Sequence, residues 1–183
     1  GIEPASLVTK SLVREVKTDD AGCFQSALNP GLTKIAVIER HKRTGKIGIG
    51  ILEGYGLTGG AIATTISHDS HNIVVAGDND PDMLLAVREL ADMGGGIVSV
   101  HGGAIRRLPL PIAGLMTSAD PQEVNAVLHD MLVAARAELG IPEDVEPFMT
   151  LSFMALPVIP ELKLTARGLF NVNTFSFVGV EAD

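Results

Sequence analysis

Apolar residues along this chain come in short runs separated by glycine-, proline- or asparagine-bearing breaks, and the spacing inside each run separates strands from helices. Ile35-Ala36-Val37-Ile38-Glu39-Arg40 predicts a strand, followed by the basic turn His41-Lys42-Arg43-Thr44-Gly45. Lys46 to Glu53 (KIGIGILE) predicts a second strand, its glycines marking close backbone approach or a bulge. Ala61 to Ile66 and Ile73-Val74-Val75-Ala76 predict two more. Ile97 to Val100 and Ala104 to Leu108 flank His101-Gly102-Gly103, a hairpin pattern. Two helices begin alike. Asp80 is the expected N-cap of the first, with Pro81 at its first position, Leu84, Val87 and Leu90/Ala91 at helical spacing, and Gly94-Gly95-Gly96 as the stop. Asp120 repeats this with Pro121 and, three residues on, Glu123 in a capping-box arrangement. Val124, Val127/Leu128, Met131 and Ala135 predict its buried stripe, and Gly140 with Pro142 ends it.

The two ends are less regular. Val8 to Val16 alternates imperfectly, Asp19-Asp20-Ala21-Gly22 reads as a turn, and Asn29-Pro30-Gly31 is a strong breaker. Phe148 to Leu164 is apolar but interrupted by Pro157 and Pro160, which predicts a packed irregular segment rather than a long helix. Phe175 to Val180 predicts a closing strand. The expected fold is therefore α/β, a single domain with a mixed β-sheet and helices packed on it, with α+β as the alternative. Residues 1–33 form an N-terminal segment and 34–183 the domain proper.

Composition narrows the function classes. With 183 residues, 46% of them hydrophobic and 20% charged, the chain has room for one soluble globular domain, which at this size buries roughly 70% of its unfolded surface. A net charge of −8 argues against a nucleic-acid partner. No apolar run approaches the ~20 residues of a membrane helix. Cys23 is the one cysteine, so no internal disulfide forms, and with no secretory pattern the expected location is cytoplasmic. The chain opens Gly1-Ile2-Glu3-Pro4 without an initiator Met, as a processed product, a fragment or a tag-cleaved chain would.

The densest polar chemistry is Ser67-His68-Asp69-Ser70-His71-Asn72, set between two apolar runs. On a continuous strand His68 and His71 would face opposite sides, whereas on a turn they can converge. Ser, Asp and Asn favour the turn. Imidazoles titrate near neutrality and pass protons, and Asp69 could raise a histidine's pKa or fix its tautomer. The bland reading is a polar hairpin loop. As a metal site the segment lacks a third ligand. His41, His101 and His129 read as surface or structural, Lys42-Arg43 as a solvated turn, Cys23 as inert and the methionines as core filler.

Gly54-Tyr55-Gly56-Leu57-Thr58-Gly59 matches the G-x-G-x-x-G dinucleotide fingerprint, with Asp78 some twenty residues on. That reading requires a helix after the loop, and Thr64, Thr65 and Ile66 favour a strand there. A glycine-rich turn between strands is the better expectation.

Several blocks carry a resemblance. Gly56-Leu57-Thr58-Gly59-Gly60-Ala61 leading through Thr65 to Asn72, Leu110 to Met116, Pro147 to Phe153, Leu156 to Thr165, and Arg167-Gly168-Leu169-Phe170 together resemble the C-terminal domain of bacterial adenine deaminases, over residues 34–180. The resemblance implies hydrolysis of adenine to hypoxanthine and ammonia by a protein about three times this length. There an amidohydrolase barrel holds a pair of metals, manganese or iron, absent from this chain. The implied partners are that N-terminal barrel and adenine, in a homo-oligomer. In this reading the 67–72 loop closes the purine pocket: His68 and His71 relay protons, Asp69 orients one ring, and Ser67, Ser70 and Asn72 contact the substrate. Two alternatives stand beside it, a structural and oligomerisation module without catalytic role, and a nucleotide-binding module built on Gly54–Gly59.

Overall fold

The structure is a computed structural model and describes residues 1–182. Among these the elements run β1 (Leu32–Ile38), β2 (Ile47–Glu53), β3 (Gly60–Thr64), β4 (Ile73–Gly77), α1 (Asp80–Asp92), β5 (Gly96–His101), β6 (Ala104–Pro109), α2 (Pro121–Ala137), α3 (Pro147–Phe153), β7 (Leu162–Thr165), β8 (Gly168–Asn171) and β9 (Ser176–Val178). Six strands form one sheet in the order β2-β1-β4-β3-β5-β6, and β7-β8-β9 form a smaller one. The class is the expected strand-and-helix domain, on its α+β side, and the ladders within both sheets are antiparallel.

Why β3 and β4 read as unbroken apolar runs is now plain: all five residues of each are buried. An antiparallel strand with one wet face alternates, whereas these are covered on both. On one face α1 lays Met83, Ala86 and Leu90 against Ala61, Ala63, Val75, Val98 and Val100. On the other, Ile35, Val37, Ile62, Val74 and Ile97 meet Met131 and Ala135 of α2, Leu151 of α3 and Leu164 of β7. Each fully buried Val, Leu or Ile contributes roughly 1.5–3 kcal/mol, so the two layers supply most of the stabilisation. β4 and β5 are both antiparallel neighbours of β3 and so run parallel to each other, which is why α1 must cross over β3 to join them.

Local details depart from the pattern in places. The N-cap of α1 is Asn79, not Asp80: its Oδ1 accepts from the Asp82 amide at 2.8 Å, the geometry a cap requires. Asp120 caps α2 as expected, through the Gln122 amide. Val127 is exposed, and Met131, Ala134 and Ala135 are the buried residues of that helix. Of the β2 glycines, Gly48 marks close backbone approach, since a Cβ there would run into the Thr165 carbonyl oxygen, whereas a Cβ on Gly50 would meet only ordinary contacts with Ile35 and Leu164. The 148–164 stretch splits into α3, an irregular run and β7. β1 takes in Leu32 and Thr33, and the residues before it lie against the body by backbone bonds, Ile2 to Glu53 and Thr9 to both Pro160 and Glu161. No helix among the described residues is long and apolar enough to cross a membrane.

The register brings one set of loops together. Ile38 pairs with Ile73, Thr64 with both Val74 and Ile97, and Gly96 with Pro109. The end of β1, the β3–β4 loop and the chain leaving β6 therefore share one end of the sheet.

Candidate functional site at the end of the sheet

Residues 67–72 form the β3–β4 loop, closed as a turn by the His71 amide donating to the Ser67 carbonyl at 2.6 Å. The turn brings the imidazoles of His68 and His71 to one side, 6.1 Å apart between ring centroids. Asp69 and Ser70 stand exposed at the tip, while Ser67 and Asn72 are buried beneath it. The loop thus divides into a presented part and a supporting part. Asn72 Oδ1 accepts from the Arg40 amide at 3.4 Å, and the Ser70 hydroxyl accepts from the Asn72 amide at 3.5 Å. Ser67 Oγ and His71 Nδ1 are buried without a hydrogen-bond partner among the described residues.

Three neighbouring segments hold this loop. From α3, the Ser152 carbonyl accepts from the His68 amide at 3.2 Å, and the Phe153 ring lies 4.5 Å from that of His68. From the end of β1, Arg40 Nε donates to the His71 carbonyl at 2.6 Å and His41 Nε2–H donates to the Ser70 carbonyl at 2.8 Å. From residues 110–116, the Ala113 carbonyl accepts from Arg40 and the Gly114 carbonyl from the buried Thr65 hydroxyl, both at 2.6 Å. Three of the resemblance blocks, far apart in sequence, meet here.

The electrostatics favour a neutral His71. Burial lowers its pKa, the nearby His68, Arg40 and His41 lower it further, and Asp69 opposes them. Among the described residues no hydrogen bond joins Asp69 to either imidazole, so its influence on His71 acts through space. Beside the site, hydrogen bonds from the Thr44, Lys42 and His41 amides and the Thr44 hydroxyl hold the Glu39 carboxyl down at about 2, ordering the basic turn. Two exposed apolar side chains, Ile112 and Met116, sit on the loop that Arg40 ties in, and Met149 is exposed on α3. A cavity of about 850 Å³ lies elsewhere, between the N-terminal segment, β1–β2 and the small sheet, and none of residues 67–72 lines it. At the imidazole loop Asp69 and Ser70 are exposed, and His68 and His71 are half-buried beside them. No group of three His, Cys, Asp or Glu side chains among the described residues could hold a metal ion.

The glycine-rich loop is not a phosphate cradle. It leads into β3 rather than a helix, and the Gly59 amide already donates to Asp78 Oδ2 at 2.5 Å, where a pyrophosphate oxygen would have to sit. Its role is structural: the fully buried Tyr55 donates its hydroxyl to the Pro147 carbonyl at 2.9 Å, pinning the start of α3. His101 donates Nδ1–H to the Gly59 carbonyl, His129 is exposed on α2, and Cys23 is exposed. Arg40, Thr65, Tyr55 and Phe153 were not signalled as site supports by local pattern, because each acts on a partner distant in sequence.

The family model described as the adenine deaminase C-terminal domain matches residues 6–176. An adenine deaminase from Nitratidesulfovibrio vulgaris strain Hildenborough is 60% identical over 98% of this chain, which spans 31% of that protein. One from Clostridium acetobutylicum is 48% identical over 94% of the chain and 30% of its own length. One from Listeria monocytogenes serotype 4b is 44% identical over 100% of the chain and 32% of its own length. The chain thus spans about a third of the length of the curated relatives it matches. By its match over nearly all its residues, the chain belongs to the adenine deaminase C-terminal domain family.

Proposed function

We propose that this chain serves an enzyme that hydrolyses adenine to hypoxanthine and ammonia, and that the 67–72 loop completes the purine pocket from outside a barrel formed by the rest of the polypeptide. The observation that carries this reading is the convergence of two half-buried imidazoles beside an exposed, well-anchored tip, built by separate blocks of the same family. In the reaction water adds to the amino-bearing carbon, a proton reaches the amine, and ammonia leaves. His71, held neutral, accepts a proton, and His68 beside it passes one to the leaving amine or a ring nitrogen. Ser70 and Asp69 are presented alongside, while Ser67 and Asn72 shape the loop from beneath. The manganese or iron implied by the resemblance does not fit the donors of this chain, and we assign it to the barrel. Substituting His68→Asn or His71→Asn in the full-length enzyme is expected to lower kcat/KM by more than about tenfold, the lower range for a lost acid–base group. Near-parental turnover in both variants overturns the proposal.

A second reading rests on a different observation. Phe175, 78% exposed, lies with Phe177, Val178 and Val180 in an apolar C-terminal stretch, as an oligomerisation face would. Light scattering coupled to size exclusion tests it, and a strictly monomeric species argues against it.

A further inference from the structure

Arg40 leaves the end of β1 and lays its guanidinium between two loops. Nε donates to the His71 carbonyl and a terminal nitrogen to the Ala113 carbonyl, each at 2.6 Å, while its own amide reaches Asn72 Oδ1. None of the ion pairs among the described residues includes it. A cation bonded only to carbonyls is oriented rather than neutralised. Room is kept for it, since a Cβ on Gly114 would come within 2.8 Å of a terminal nitrogen. With His41 donating to the Ser70 carbonyl, two consecutive residues of one strand end grip three consecutive residues of the imidazole loop.

We propose that Arg40 is the positioning residue of this site: its planar fork locks the His71 backbone against the 110–116 loop, and so sets where the two imidazoles stand. This rests on the reading that the loop meets the substrate. Only arginine suits the task, because the two acceptors belong to different loops and need donors fixed in one plane, whereas lysine offers a single nitrogen on a flexible stem. The charge has a second effect. The groups facing His71 are His68, Arg40, Asp69 and His41, and Arg40 is among those that favour its neutral, proton-accepting form.

The test is adenine turnover against pH for Arg40→Lys and Arg40→Gln in the full-length enzyme, beside His71→Asn. Both Arg40 variants are expected to lose about tenfold or more in kcat with KM little changed, since groups are misplaced rather than binding contacts removed. Arg40→Gln should also move the acid limb of the profile to higher pH, as the His71 imidazole gains basicity, and Arg40→Lys should move it less. Where Arg40→Gln fails to fold, Arg40→Lys carries the test, because it keeps the charge and most of the volume. Arg40 variants matching the parent in kcat, KM and pH profile, while His71→Asn is impaired, overturn the positioning role alone. An unimpaired His71→Asn overturns instead the reading on which it rests.

Discussion

The ring of His68 packs on that of Phe153 at 4.5 Å between centroids, tilted by 36°, so helix α3 supports the imidazole loop by a side-chain contact as well as by the Ser152 carbonyl. An aromatic pair of this kind contributes roughly 0.5–1.5 kcal/mol beyond the area it buries. Phe153→Leu keeps apolar volume and removes the pair. It should destabilise the domain by about 1 kcal/mol in urea unfolding and shift the His68 ring resonances. An unchanged midpoint with unchanged resonances would contradict the contact.

Tyr55→Phe deletes one oxygen. The Pro147 carbonyl then keeps its place in the first turn of α3 but loses this second donor, and a typical intramolecular hydrogen bond contributes about 0.5–1.5 kcal/mol. Denaturant unfolding should show a loss in that range, with faster amide exchange at the start of α3. A loss below about 0.5 kcal/mol would mean that the Tyr55 hydroxyl adds nothing to the bond that carbonyl makes within α3.

The lowered pKa of His71 makes stability depend on pH with a definite sign. Its folded pKa lies below the ordinary value of 6.5, so between the two the unfolded chain binds more protons. The contribution is present above 6.5 and is lost as the pH falls from there through the folded pKa. His71→Gln should flatten that part of the profile, measured as denaturant midpoints between pH 5 and 8 (a window chosen around the ordinary histidine value). An identical slope in the variant counts against a depressed His71.

Lys163 was not singled out by its sequence context, yet it is only 1% exposed, and its ammonium donates to the Leu7 carbonyl at 2.7 Å. Burial pushes its pKa down to about 8 from 10.5. Across that interval the unfolded chain binds more protons, so stability rises with pH from about 8 to 10.5. Lys163→Met removes the buried charge, and Leu7 is only partly buried, so water can satisfy its carbonyl. The variant should be at least as stable at neutral pH and lose the alkaline slope. Marked destabilisation at pH 7 would show that the Leu7 bond outweighs the desolvation.

Much of the fold was legible in the chain itself, since the signals involved are local. The runs at 35–38, 47–53, 61–64 and 73–76 are strands, the glycine pair at 102–103 turns a hairpin, and Asp120 caps its helix. Apolar periodicity, turn residues and caps act within a few residues of one another, so they can be read without partners. Even the convergence of His68 and His71 followed from turn-forming residues between them. The tertiary structure alone decided the strand order, the register that gathers three loops at one end of the sheet, and the division of the 67–72 loop into a buried base and an exposed tip. It also assigned Arg40, Tyr55 and Phe153 their roles, because their partners lie 31, 92 and 85 residues away. Contacts over such separations depend on how layers stack, and no short window of sequence contains that information.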